Sequence, residues 1–358
     1  MKHPIDELFS ILVEKGGSDL HLLEGQPAKI RRHGEVSKIQ EEPLTRDAIV
    51  NYLQPICSPP AWKKFVEVGD LDFAYEMDEN NRFRCNFYKQ LHGYGAVFRI
   101  IPTKIKTLKE LGVPPVIESF GNYKSGLVLV TGPTGSGKST TLAAVVDSIN
   151  TNHSRHIVTI EEPIEFVHPN KKSVITQREV PNETPSFAAG LKAALREDAD
   201  VVLVGEMRDL ETIALALTAA ETGLLVFGTL HTNNARKTVD RIIDAFPSNQ
   251  QEQIRTMLAN SLRAVCAQLL LKRSDGGGRL AVNEILVGNN AVASIIREGA
   301  TMKLNDVLKT GKAEGMQLMD DAIDGHLKAG RISPMEAYMK AIDKLRFQEL
   351  LPKDAGIG

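Results

Sequence analysis

Cysteine is scarce in this chain: three residues in 358, Cys57, Cys85 and Cys266, far apart and without a C-x-x-C pair. Such spacing argues against a disulfide or zinc framework and fits reduced, mostly buried thiols of a cytosolic protein. An excess of charge of one sign is lacking too. Lys and Arg number 43 against 45 Asp and Glu, a net charge of -2, so no global basic field attracts nucleic acid or anionic lipid. Aromatics make up 5% and form no basic–aromatic stripe, which argues against a nucleic-acid-dependent motor. No apolar run approaches the roughly 20 residues of a bilayer crossing. Direct membrane insertion is therefore not expected, and work at a membrane calls for recruitment by partners. The stretch Met1 to Glu7 has no signal-peptide core. Internal repeats and low-complexity segments are missing as well.

What is present is ordinary for a soluble globular protein, with 42% hydrophobic and 25% charged residues. The length suits two or three domains. Ile5, Leu8, Phe9 and Leu12 recur at helical spacing until Gly16-Gly17. Ser18 to Leu22 alternates like a short strand, and its His21 is read as structural. Two short helices, Thr45 to Leu53 and Ala61 to Val68, are separated by Pro55, Pro59 and Pro60. An antiparallel set follows. Leu71, Phe73, Tyr75 and Met77 share one face, and Asp78 to Asn81 turns the chain. In Arg82 to Tyr88 the arginines take one face while Phe83, Cys85 and Phe87 take the other. A third strand, Gly95 to Ile101, carries Arg99. The first hundred residues thus read as a small α+β domain. Arg84 and Arg99 are either solvated or reach a phosphate; the pattern alone leaves both open.

Beyond a polar, proline-bearing stretch from Pro102, the β run Leu127 to Thr131 leads into Gly132-Pro133-Thr134-Gly135-Ser136-Gly137-Lys138-Ser139-Thr140, and a helical segment follows. Strand, G-x-x-x-x-G-K-[ST] loop and helix in this order form a phosphate cradle. The glycines let consecutive N–H groups aim at an anion, and the helix N-terminus adds partial positive charge. Lys138 is suited to the outer phosphates of ATP and Ser139 to Mg²⁺. Further strands end at Glu161, at Glu206 and at His231, and helices alternate with them: Ser186 to Glu197, then one capped by Asp209 and stopped by Gly223. That alternation predicts a mostly parallel sheet covered by helices, with these polar groups on its carboxyl edge, where ligands bind. The remainder reads as helical with one hairpin. Ser248 with Gln251 is read as a capping box for a helix carrying Ile254 to Leu262. Leu269 to Leu271 and Val282 to Val287 are its β segments, Ser333-Pro334 opens a late helix, and Leu351 to Gly358 is a tail.

Phosphoryl transfer to water needs charge neutralisation and a positioned nucleophile. Lys138 and a Mg²⁺ held by Ser139 supply the first. Glu206 ends an apolar strand at a metal-orienting position, and Glu161, or Glu162, polarises the attacking water. The roles of Glu161 and Glu206 are interchangeable at this stage. His231 is placed to contact the γ-phosphate.

At these residues the chain resembles the secretion-ATPase superfamily, and within it the type IV pilus retraction ATPases, the PilT (twitching motility) family. Gly16 to Leu22 is similar to its G-x-SDLHL signature, Gly132 to Thr140 to its Walker A and Thr159 to Phe166 to its aspartate box. Leu203 to Asp209 is similar to its Walker B and Gly228 to Thr232 to its histidine box. The resemblance implies a PAS-like N-terminal α+β domain over 1–101, a linker over 102–110, a RecA-like P-loop ATPase domain over 111–290 and a helical C-terminal region over 291–358. It implies a cytoplasmic homohexamer with nucleotide between the domains, where Arg84 and Arg99 match two nucleotide-facing arginines. It also implies partners: the inner-membrane pilus platform protein and paralogous pilus ATPases, with no nucleic acid. Two departures stand out. Glu162 replaces an Asp of the aspartate box, and Ala291 to Glu298 lacks the first Arg and the Asn of the family's AIRNLIRE motif, which is associated with retraction. Rival readings are a PilT-like paralogue with an accessory role, a pilus-extension or type II secretion ATPase, and a nucleotide-gated binder without turnover. Extension and secretion ATPases carry a four-cysteine zinc element where this chain offers only Cys266, and the paired glutamates speak against the binder.

Overall fold

The computed structural model of the chain describes residues 3–32, 34–78, 81–101 and 104–351. Glu79 and Asn80 of the expected turn, Pro102 and Thr103 of the expected linker, and the tail beyond Leu351 lie outside the described residues. The chain divides into two units, Met1–Lys104 with Pro163–Val167, and Ile105–Glu162 with His168–Gly358.

Alternating strands build the first unit: β1 (Asp19–Leu23), β2 (Lys29–Arg32), β3 (Glu35–Lys38), β4 (Asp70–Asp78), β5 (Asn81–Gln90) and β6 (Gly93–Ile101). They form one antiparallel six-stranded sheet in the order β3-β2-β1-β6-β5-β4. Phe83, Cys85 and Phe87 of β5 are fully buried while Arg84 is exposed, so the alternation read from the sequence holds. Phe9, on the helix Asp6–Glu14, stacks on Phe83 with ring centroids 3.9 Å apart. The helices Arg46–Leu53 and Pro59–Val68 complete this unit's layer, each started by a hydroxyl cap from Thr45 or Ser58. Strands β2 and β3 were not anticipated. They are short and mostly polar, β3 forming the sheet edge and β2 lying next to it with Ile30 as its one buried residue, so burial imposes little pattern.

Largely apolar runs, with one polar edge strand, build the second sheet: β7 (Gly126–Thr131), β8 (His156–Glu161), β9 (Val174–Glu179), β10 (Val201–Val204), β11 (Leu225–Leu230), β12 (Leu262–Lys272) and β13 (Arg279–Val287). The order is β13-β12-β7-β11-β10-β8-β9, all neighbours parallel except the antiparallel pair β12–β13. Leu127 and Leu129 enter one hydrophobic core and Val128 and Val130 another, so helices cover both faces. The last helices, from Met319–Lys328 onward, close a smaller core over β12 and β13 around Leu271, Val282, Ile323 and Phe347.

Three local expectations need correction. The Ser248 capping box does not form. Gln250 N donates to Pro247 O, the helix Gln251–Ser261 starts after that turn, and Gln251 Nε2 donates to Phe246 O at 3.1 Å. Leu262 ends no helix but opens β12, because it pairs with Leu127 of β7. The helix expected over Ser186 to Glu197 is Phe187–Ala194, with Ser186 as its cap. Strand β9 went unread: its sequence, VITQRE, has two apolar residues at the sheet's far edge.

Candidate active site

The register of the second sheet aligns the ends of four neighbouring strands. Leu230 lies opposite Thr131, and Val204 opposite both Gly228 and Ile160. Main-chain bonds carry the alignment past the strands, with Gly132 N donating to Leu230 O and Gly205 N to Ile160 O. The structure thus brings the phosphate loop, Glu161, Glu206 and His231 to one carboxyl edge, as the strand ends predicted.

The loop after β7 turns through Gly132, Gly135 and Gly137 at φ +144°, +77° and +84°, where L side chains are strained. A Cβ on Gly132 would stand 2.3 Å from Gln268 O, and one on Gly137 would stand 3.0 Å from Gln268 Nε2. Gly137 precedes the helix Lys138–Asn152 and has no side chain with which to cap it, so the first N–H groups are available to an anion. Lys138 Nζ arches over the loop and donates to the carbonyls of Gly132 at 2.8 Å and Pro133 at 3.2 Å. Pro133, Thr134 and Gly135 are exposed, Ser139 and Thr140 half-buried. Ser136 is buried, and its hydroxyl finds no partner among the described residues. A strained glycine cradle, an orphaned hydroxyl and a helix N-terminus together fit a nucleoside triphosphate. A Mg²⁺ fits through Ser139. Among the described residues no three His, Cys, Asp or Glu side chains converge on a cation site, so phosphate oxygens and one hydroxyl would have to supply most ligands.

The cradle has a brace that the sequence reading missed. Gln268 of β12 is buried; its Nε2 donates to Ser136 O at 2.8 Å, and its Oε1 accepts from Thr141 Oγ1 at 2.8 Å and Asn283 Nδ2 at 3.0 Å. Amides at Gln268 and Asn283, each flanked by apolar residues on the preceding side of its strand, were the available signal.

Glu161 Oε1 accepts from Thr159 Oγ1 at 2.8 Å and from Gln177 Nε2 of β9 at 3.4 Å. Glu162 beside it is exposed. Glu206 Oε1 lies 3.0 Å from His231 Nε2 and pairs with Arg208, a residue not singled out from sequence. Burial pushes the Glu206 carboxyl up, but hydrogen bonds and charge from Arg208 and then His231 outweigh it, leaving it below its ordinary value. Glu206 is therefore held as a carboxylate. Thr229 Oγ1 donates to Gly205 O at 2.5 Å and Met207 N to Thr229 O at 3.0 Å, locking the turn after β10.

In the first unit, Arg84 and Arg99 are directly opposed across β5 and β6. Arg84 Nη2 meets Asp72 Oδ2 at 2.6 Å, and Arg99 Nε meets the buried Asp19 at 2.8 Å. His21 sits in β1 opposite Val97, its pKa lowered by burial. That matches a structural residue.

A family model described as type II/IV secretion system protein matches residues 4–330. The chain is 48% identical over 337 residues to the type IV pilus retraction ATPase PilT of Pseudomonas aeruginosa, spanning 94% of this chain and 98% of that protein. It is 49% identical over 312 residues to a twitching motility protein of Neisseria gonorrhoeae, spanning 87% and 83%. A crystal structure of the pilus retraction motor PilT with bound ADP superposes with a TM-score of 0.90 at 42% identity, covering 96% of this chain and 98% of that one. The chain belongs to the type II/IV secretion system family, among its PilT-like type IV pilus retraction ATPases.

Proposed function

We propose that this protein is a Mg²⁺-dependent ATPase whose hydrolysis cycle powers type IV pilus retraction and hence twitching motility. It works as a cytoplasmic homohexamer recruited to the inner-membrane pilus platform, alongside paralogous pilus ATPases. The observation that carries this reading is the convergence of Lys138, Glu161, Glu206 and His231 on one sheet edge, in a chain similar to PilT along nearly its whole length.

The loop N–H groups and Lys138 hold the β- and γ-phosphates and neutralise charge that builds on them. Ser139 would ligate a Mg²⁺ and Glu206 would orient its water; when bound, the ion would supply Lewis-acid neutralisation of phosphate charge. Glu161, steadied by Thr159 and Gln177, accepts the proton of the attacking water. His231, held on Glu206, reports the γ-phosphate to its own loop. Arg84 and Arg99 take the nucleotide-facing role of the family's two arginines and exchange Asp72 and Asp19 for phosphate.

A second reading, an accessory PilT-like paralogue, draws on the departures at Ala293 and Ser294. In the helix Asn290–Arg297, Val292, Ile295 and Ile296 are buried, whereas Ser294 is exposed and Ala293 half-buried. The departures leave the core intact and alter the accessible surface. A deletion strain separates the readings: many pili without twitching supports retraction, normal pili and twitching supports the accessory role, and bald cells contradict both.

A further inference from the structure

Glu284 of β13 is 3% exposed, and its partners among the described residues are main-chain N–H groups rather than cations. One oxygen, Oε1, accepts from Ala235 N at 2.8 Å, and the other, Oε2, accepts from Met319 N at 3.3 Å. Each donor opens a helix, Ala235–Asp244 and Met319–Lys328 respectively. Two helix N-termini therefore share one buried side chain; burial pushes the Glu284 carboxyl above its ordinary value, and the N–H groups of Ala235 and Met319 offset only part of that rise. Leu318, the N-cap of the second helix, offers no capping side chain. Glu284 does that work from another strand.

The helix Ala235–Asp244 begins immediately after His231-Thr232-Asn233-Asn234. Its first turn grips that loop. Asn234 Oδ1 accepts from Lys237 N at 2.8 Å, and Thr238 Oγ1 donates to Asn234 O at 2.8 Å and lies 2.7 Å from Thr232 Oγ1. On the other side, Ile285 and Gln317 exchange main-chain bonds, and Gln317 Nε2 donates to Asn283 O at 2.7 Å. Strand β13 is thus tied both to the His231 loop and to the start of the late helices.

We propose that Glu284 is a positioning residue for ATP hydrolysis: its carboxylate clamps the start of Ala235–Asp244 to the start of Met319–Lys328 and so fixes His231 against Glu206. A displacement of the late helices is then passed through this one side chain to the hydrolytic edge. The inference rests on the ATPase reading above.

The test is steady-state phosphate release by the full chain carrying Glu284→Gln. Glutamine keeps the shape, but only one of its two polar atoms accepts, so one helix start is released. The expected result is a kcat lowered by about tenfold with KM for ATP within about twofold. In a His231→Ala background, Glu284→Gln adds no further loss, as expected of residues acting through one another. Ala235→Pro provides an independent route if Glu284→Gln fails to fold. It removes the Ala235 N–H at a first helical position, where proline is tolerated, and should lower kcat in the same way. Wild-type kcat in a folded Glu284→Gln or Ala235→Pro protein overturns the inference, as does a full additional loss on top of His231→Ala. A wild-type protein that releases no phosphate overturns the ATPase reading itself, and the inference with it.

Discussion

His231 Nε2 lies 3.0 Å from Glu206 Oε1, so the ends of β11 and β10 are joined side chain to side chain. With Arg208 on the same oxygen, this contact outweighs burial and holds the Glu206 carboxyl below its ordinary value of 4.5. A carboxylate so depressed adds stability that is present above pH 4.5 and is lost as the pH falls through the folded-state value. Arg208→Ala should raise the Glu206 pKa and move the acid limb of the kcat/KM profile to higher pH. An acid limb that stays in place in this variant contradicts the role given to Arg208.

Gln268→Leu tests the brace behind the phosphate loop. It strips Thr141 Oγ1 and Asn283 Nδ2 of a buried acceptor and Ser136 O of its donor. Each buried group left unmatched costs about 1–3 kcal/mol. The variant should unfold at clearly lower urea concentration and bind ADP about tenfold more weakly, equivalent to about 1.4 kcal/mol. Wild-type ADP affinity in a folded variant would show that the loop holds its shape unaided.

Arg84 and Arg99 offer a separation of function from stability. The Arg84–Asp72 pair is half-exposed on both sides, and such pairs contribute at most about 1 kcal/mol. After Arg99→Ala, the buried Asp19 still accepts from Ser18 Oγ at 2.8 Å. Both alanine variants should therefore melt near the wild type while kcat/KM for ATP falls by about tenfold or more. Unchanged kinetics in both would return these arginines to a merely solvated sheet face.

A buried histidine, His168, whose main-chain N–H donates to Gln177 Oε1 at 2.8 Å, sets a pH dependence of stability. Burial pushes His168 down from 6.5 to about 4. Between those values the unfolded chain holds the extra proton, so the contribution is complete above pH 6.5 and is lost as the pH falls toward 4. The full span corresponds to about 3 kcal/mol. Urea melts at pH 7 and pH 5 should differ in the wild type and differ less in His168→Gln; equal slopes in the two proteins contradict the assignment.

Which features could be read from the sequence follows from how local their causes are. The loop from Gly132 to Thr140, the cap at Asp209 and the strands ending at Glu161, Glu206 and His231 are written in contiguous residues, and the sheet register only had to align them. The alternation of Phe83, Arg84 and Cys85 likewise exposes its own pleat. Gln268 was hidden because its contact with Ser136 spans 132 residues. Glu284 was hidden for the same reason, since both helices it caps lie far off along the chain. The Ser248 motif failed the other way. Its local pattern was present, but the turn at Pro247 to Gln250 began the helix elsewhere.

ATP hydrolysis is assigned to the carboxyl edge of the second sheet. Mg²⁺-dependent phosphate release from purified wild-type and Lys138→Ala protein tests it most directly. The wild type should turn over steadily while the variant releases phosphate only at background, because the outer phosphates lose their only loop-borne cation. Equal phosphate release from both proteins would contradict it.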